Sequence, residues 1–229
     1  MIKIDICTTA TLRHVVLETT LKSFTYSMLS NRDRFRLIIN IDPIGDKLKR
    51  RNAVLQIAYK YFKNVVYNFP ETPGFTKAVQ WCWSQTTAPY VFHLEDDWKL
   101  LTPINIDSMI EVIEKYNLTS LRLSKDPLKS SKHSCRFGFI YSPQISLNPT
   151  IFRGEIIRKI YPLMDLDKNP EKQLRVGNPK FKEILANAKH GIYQKNLSGR
   201  VVLDIGRKWM KTSIYKKKTG FLNWERKVK

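Results

Sequence analysis

Hydrophobic and polar positions along this chain switch repeatedly between a period of two and a period near 3.6, and the switches lay out its elements. Residues 3–7 read as a strand, followed by a turn over Thr8, Thr9, Ala10 and Thr11. Residues 12–29 then carry Leu12, Val15, Val16, Phe24 and Met28 near helical spacing. A second strand over 35–41 is closed by Asp42 and Pro43, a basic amphipathic helix covers 47–62, and a third strand covers 64–69. The turn at 70–74, with two prolines and a glycine, leads into an aromatic-rich helix over 76–84. Residues 90–94, apolar with aromatic and β-branched side chains, read as a buried fourth strand. A helix over 106–116 and a strand over 120–123 follow, then a loop-rich stretch over 124–144. Strands separated by helices of ten or more residues imply βαβ units, hence an α/β fold with a mostly parallel sheet.

The fourth strand ends on three consecutive carboxylates, Glu95, Asp96 and Asp97. In open α/β sheets ligands bind at the carboxyl ends of the strands. A hard divalent cation accompanied by a diphosphate is one chemical reason to gather acids there. An acidic turn, or the first turn of a helix, is the other. The histidines add little. His93 lies inside the apolar strand and reads as a core residue, and His14, His133 and His190 have no metal-ligand spacing.

Composition narrows the class. A 42% apolar and 11% aromatic share over 229 residues is that of a globular chain with a sizeable core. Cys7, Cys82 and Cys135 are odd in number and widely spaced, so neither a disulfide framework nor a zinc site is expected. No leader-like start and no run of membrane-spanning length is visible, and the reading is a soluble protein of the cytoplasm, a host's cytoplasm if viral.

Forty Lys and Arg against twenty Asp and Glu leave +20, which attracts polyanions. The excess concentrates at the end. Residues 206–229 hold nine basic side chains and one acid, a net +8, with Trp209, Tyr215, Phe221 and Trp224 among them. Basic residues interleaved with aromatics suit phosphate contacts and base stacking, and Lys216, Lys217 and Lys218 are the candidate nucleic-acid contacts. A solvated tail is the plainer reading. The organisation expected is a domain over 1–205 and a basic aromatic extension over 206–229.

Four segments together resemble the nucleotide-sugar glycosyltransferases of the GT-A fold. They are the first strand and its turn from Ile4 to Ala10, the second strand's end at Asn40, Ile41 and Asp42, the segment from Pro73 to Trp81, and the acidic strand end at Glu95, Asp96 and Asp97. The last resembles the family's D-x-D motif in a Glu-Asp-Asp form. The resemblance implies a single Rossmann-like domain, a UDP- or GDP-linked sugar donor, and Mn²⁺ or Mg²⁺. It implies donor contacts from Thr8, Thr9, Asn40, Asp42, Lys77 and Glu95. Asp97 would be the principal metal ligand, and Asp96 would act on the sugar or the metal. The segment around Asn169, Pro170 and Glu171 resembles the helix start bearing the catalytic base, with Asp165 and Asp167 as rivals. Asp204, before Ile205 and Gly206, stands where relatives often carry a metal-binding His, and Arg207 and Lys208 follow as candidates to neutralise the diphosphate.

The acceptor is less legible. The charge and the tail favour DNA, with transfer to a hydroxyl on a modified or already glycosylated pyrimidine, as certain bacteriophage enzymes do. A surface glycan or lipid-linked sugar is the second reading, and a nucleic-acid-binding protein with an inactive transferase fold the third.

Overall fold

The computed structural model describes residues 2–30, 32–45, 50–126, 138–176, 178–193, 200–207 and 209, with the backbone of 215–217 and 224–226. Of the candidate site residues, Lys208 and Lys218 lie outside these, as do the side chains of Lys216 and Lys217. Most of the extension over 206–229 is likewise outside.

In chain order the first half contains β1 (Ile4–Thr11), α1 (His14–Ser27), β2 (Phe35–Asp42), α2 (Arg50–Tyr61), β3 (Asn64–Asn68), α3 (Phe75–Ser84) and β4 (Tyr90–His93). After it come β5 (Trp98–Leu100), α4 (Ile106–Lys115), β6 (Ser120–Leu123), β7 (Phe139–Ser142), β8 (Thr150–Arg153), α5 (Gly154–Ile160), α6 (Pro170–Val176) and α7 (Lys182–Leu185). The chain then forms β9 (His190–Tyr193), β10 (Val202–Asp204), β11 (Tyr215–Lys217) and β12 (Trp224–Arg226).

Among the described residues, eight strands form one sheet in the order β3-β2-β1-β4-β8-β6-β9-β7. β3, β2, β1 and β4 run parallel, β8 is antiparallel to β4 and β6, β9 is parallel to β6, and β7 is antiparallel to β9. The α/β architecture with a mostly parallel sheet is therefore as the sequence implies. β5 and β10 pair apart from that sheet as a two-stranded antiparallel ribbon.

Period-two alternation divides the apolar side chains of the central strands between the two faces. Ile4, Ile6 and Ala10 of β1, the odd-numbered apolar residues of β2, and Tyr90 and Phe92 of β4 join one core with residues of α1, α2 and α4. Cys7, Ile38 and Val91 join the other, with Val79, Cys82 and Trp83 of α3 and Ile157 and Ile160 of α5. Burial on both faces makes β1 a near-continuous inaccessible run, as expected of a central parallel strand. His93 belongs to this core: it is fully inaccessible, sits edge-on to Trp83, and burial pushes its pKa down to about 3.

The turn expected over Thr8–Thr11 is instead the second half of β1. Its pairing with β2 continues in register from Thr8↔Ile39 to Thr11↔Asp42. The threonines satisfy the ladder as well as apolar residues do, and this extension carries the strand's end to the acidic loop. At the opposite end of the sheet, Gly154 is fixed by contact: a Cβ there would lie 2.3 Å from the Ala88 carbonyl oxygen, and its own N–H donates to the Pro89 oxygen at 2.7 Å.

Candidate functional site

The acidic loop lies over the carboxyl end of β1, and backbone bonds set its course. The Leu94 and Asp96 amides donate to the Cys7 and Thr9 carbonyls at 2.9 and 3.1 Å, prolonging the β1–β4 ladder beyond β4. The Thr20 hydroxyl of α1 donates to the Asp96 carbonyl at 2.7 Å. Asp96 is only 2% exposed. Its carboxylate accepts from the Thr11 amide at 3.0 Å and from the Thr11 hydroxyl at 3.3 Å. It also forms a close ion pair with Arg13, whose guanidinium reaches Asp97 Oδ2 at 3.2 Å. The carboxylates hold the Arg13 pKa well above its ordinary value against the opposing effect of burial. A carboxylate so engaged holds the end of β1, the start of α1 and the acidic loop together. Asp96 thus holds the site's shape, where the family resemblance implies contact with the sugar or metal.

This loop forms one wall of a cleft of about 360 Å³. Thr9, Asp42, Glu95, Asp96, Asp97 and Asp204 line it, and Glu171, Asn148 and Arg175 line it too. The cleft therefore gathers seven of the twelve expected catalytic, donor and metal residues at the carboxyl end of the parallel strands. Thr8 and Lys77 are not among its lining residues. Thr8 is 0% exposed, on the strand face opposite Thr9, and Lys77 is exposed on the first turn of α3. Asn40 is 1% exposed and acts indirectly: its amide donates to Asp42 Oδ1 at 2.8 Å and its oxygen accepts from Asn68 at 2.7 Å.

Asp42 also accepts from the Gly74 amide at 3.1 Å. Burial pushes its pKa up to about 6 despite those donors, with the Asp96 charge adding to the rise. The aromatic Phe75 follows Gly74 and lines the same wall.

Asp97 and Asp204 meet through the ribbon. Register pairs Asp204 with Trp98, and the Ile205 amide donates to the Asp97 carbonyl at 2.8 Å. Gly206 allows the closeness, since a Cβ there would fall 2.0 Å from Asp97 Oδ2. Asp204 accepts from the Gly206 and Arg207 amides at 3.0 and 3.3 Å and pairs with the exposed Arg207 guanidinium at 3.1 Å. Arg207 is not among the lining residues.

Glu171 stands on α6, whose first turn is capped by Asn169 accepting from the Lys172 amide at 3.0 Å. Three donors converge on its Oε1: the Ser146 hydroxyl at 2.8 Å, the Leu147 amide at 3.4 Å and Arg175 at 2.6 Å. Among the described residues no hydrogen bond is made to Oε2. Its rivals are placed differently. Asp165 and Asp167 are not lining residues, and Asp165 pairs with Lys168 at 2.9 Å.

Sequence reasoning missed Arg13, Lys125 and Arg175. Arg175 was findable, because it follows Glu171 by four residues in a helix, the spacing of a surface ion pair. Nothing in the sequence sets Arg13 apart from the other basic residues; only the fold aims it at the acids.

No family model and no curated protein matches the sequence. Among solved structures, S. aureus TarS is 12% identical with a TM-score of 0.58, the alignment covering 86% of this chain and 36% of that one. TarS 1–349 in complex with UDP-GlcNAc is 16% identical with a TM-score of 0.56, covering 86% and 57%. The mannosyltransferase PcManGT from Pyrobaculum calidifontis, in complex with GDP-Man and Mn²⁺, is 11% identical with a TM-score of 0.62, covering 89% and 57%. The chain thus spans well under two thirds of the length of these proteins, and at such identities what is shared is the GT-A-type fold.

Replacing Arg13 removes the counter-charge of a buried carboxylate, a loss of about 3–5 kcal/mol. Arg13→Ala is therefore expected to lower the free energy of unfolding measured in urea by an amount of that size, with a lower midpoint. An unchanged midpoint would show that Asp96 is held by its threonine donors alone.

Proposed function

We propose that the chain is a nucleotide-sugar-dependent glycosyltransferase, with the donor along the acidic wall of the cleft and the acceptor on the Glu171 side. The observation that carries this reading is the single cleft shared by Asp42, Asp97 and Asp204 on one side and the anchored Glu171 on the other. The complexes of fold neighbours with UDP-GlcNAc and GDP-Man support it.

The donor set fits a hard divalent cation, Mn²⁺ or Mg²⁺. Asp97, just ahead of β5, and Asp204, at the end of β10, offer oxygen ligands, and such ions are commonly held by one or two carboxylates plus substrate phosphates. Among the described residues no group of three His, Cys, Asp or Glu side chains is arranged to hold a metal, in keeping with a site completed by the donor's diphosphate. When bound, the ion would supply Lewis-acid stabilisation of the charge that develops on the diphosphate leaving group. Arg207 and Lys208 would add positive charge at the same diphosphate.

Asp42, Thr9 and Glu95 would receive the nucleoside, the ionised Asp42 accepting from ribose hydroxyls. Glu171 would take the proton of the acceptor hydroxyl on Oε2 while Oε1 stays anchored. The acceptor oxygen bonds to the anomeric carbon as the bond from that carbon to the phosphate oxygen breaks, inverting the configuration. The leading acceptor is a hydroxyl on a modified pyrimidine of DNA. The +20 charge supports it, as do Lys216, Lys217 and Lys218 in the basic tail.

Four measurements test this. A screen of UDP- and GDP-sugars is expected to raise the unfolding temperature, more strongly with Mn²⁺. Asp97→Asn should abolish the metal-dependent part of that shift together with transfer; full activity in EDTA would end the metal assignment. Glu171→Gln should keep donor binding and lower turnover by about 10²–10⁴-fold, whereas lost donor binding would remove Glu171 from the base role. Nucleotide affinity should fall as pH drops through about 6, where Asp42 takes up its proton. Asp42→Asn should flatten that dependence. Stability moves the other way: because the folded pKa of Asp42 exceeds the ordinary 3.8, its contribution is full below that value and is lost as pH rises through about 6.

A further inference from the structure

Ladder register places a polar row across three strands near the carboxyl end of the sheet. Thr9 of β1 pairs with Asn40 of β2, and Asn40 pairs with Asn68 of β3, the edge strand, so the three side chains stand on one face. Thr9 lines the cleft, whereas Asn40 and Asn68 do not. Asn40 is 1% exposed, and a polar side chain so buried is costly unless both ends of its amide are satisfied. Both are: Asn68 Nδ2 donates to Asn40 Oδ1 at 2.7 Å, and Asn40 Nδ2 donates to Asp42 Oδ1 at 2.8 Å. The bonds run in one direction, from the half-buried edge of the sheet to a carboxylate in the cleft wall. Two apolar side chains of similar shape would serve stability nearly as well, so packing does not account for the pair.

Asp42 is held at both oxygens. Asn40 donates to Oδ1, and the amide of Gly74, the N-cap of α3, donates to Oδ2 at 3.1 Å. The last torsion of an aspartate is broad when left to itself. Two donors on different elements fix the plane of this one. An ionised carboxylate has about four lone-pair sites, so about two are left after these bonds. The vicinal hydroxyls of a ribose are two donors on adjacent carbons, and such a pair matches two acceptor sites held in one plane. A 2′-deoxyribose offers only one of them. A reversed Asn40 amide would present its oxygen to the carboxylate and repel it. Asn68 opposes that reversal by donating to the same oxygen.

We propose that Asn68, acting through Asn40, is a positioning residue that fixes the Asp42 carboxylate for the vicinal hydroxyls of a ribose, so that the site selects ribonucleoside diphosphates over their 2′-deoxy forms; the proposal rests on the reading of the cleft as a donor site. Neither asparagine touches the nucleotide. Hydrogen bonds in a chain polarise one another, so Asn68 also strengthens Asn40 as a donor to the carboxylate. Sites that hydrogen-bond a hydroxyl discriminate well against ligands lacking it, because the acceptor is then left unpaired. The diphosphate and its cation are common to the ribose and deoxyribose forms. The preference between the two therefore reports on the sugar end of the site.

Isothermal titration of the full chain with UDP and 2′-deoxy-UDP, and with GDP and 2′-deoxy-GDP, each with Mn²⁺, tests the proposal. At about pH 8 the Asp42 carboxyl, with its pKa at about 6, is ionised. The unaltered chain is expected to prefer the ribonucleotide by about ten- to hundred-fold, the range of one hydrogen bond to a charged group. Asn68→Leu is expected to bring that preference within about three-fold, by weakening the ribonucleotide and leaving the deoxy form little changed. Asn68→Asp places an acceptor where the donor stood, draws the Asn40 amide nitrogen away from Asp42, and should lower the preference as well. Asn64→Leu alters an exposed position on the same edge strand, opposite Arg36, and should keep the preference. Either variant at 68 with the unaltered preference would overturn the proposal, as would an equal loss in Asn64→Leu. Binding of UDP or GDP with no preference for ribose would do the same while the donor reading stands. If neither UDP nor GDP binds, the donor reading falls and the proposal falls with it.

Discussion

The ion pair between Arg13 and Asp96 is the constraint on which the rest of the site depends. A carboxylate 2% exposed to solvent is costly to bury without an opposite charge and several donors. Satisfying it draws three elements to one point: the last residue of β1 through Thr11, the residue ahead of α1 through Arg13, and the loop after β4. Once that point is fixed, Asp97 has little freedom, and the ribbon that follows must leave the sheet at a set angle to reach β10. Trp209 lies over the Arg13 guanidinium, 5.0 Å from the ring centroid, so the segment after β10 contributes to the same knot. The acidic triplet is therefore divided by burial: all three line the cleft, and the middle member, Asp96, is the one whose bonds also shape the loop.

That division explains what the sequence could and could not reveal. Alternation and strand-edge chemistry located β1 to β4, α3, α4 and β6 within a few residues and put the acids at the carboxyl end of the sheet, because those features depend on local pattern. The burial of Asp96 was not legible, because three adjacent carboxylates look alike until the fold buries one. Thr8 and Thr9 differ by a single step along an extended strand, which puts them on opposite faces, and the expected turn hid that step. β5 and β10, three residues each, are too short to show a period, yet they bring Asp97 and Asp204 together across more than a hundred positions. β8 is four residues long, too short to show a period, and nothing in its own sequence fixes its antiparallel direction against β4.

Both walls of the cleft pair acids with bases: Arg13 meets Asp96 and Asp97, Arg207 meets Asp204, and Arg175 meets Glu171. Asp42 differs, since burial first, and the Asp96 charge after it, raise its pKa to about 6.

The ribbon of β5 and β10 stands outside the eight-stranded sheet and rests on a ladder of three residue pairs. Stability in proteins is distributed unevenly, and short ladders at the periphery open more readily than a central strand buried along its whole length. Asp204 thus stands on a peripheral ladder, while Asp97 is held to the floor by Arg13. A ligand held by both acids would steady that ladder, and by reciprocity anything that loosens it would be felt as weakened ligand affinity while the sheet stays intact. Folding of the domain and readiness of its site are therefore separable quantities, adjustable by substitutions in different parts of the chain.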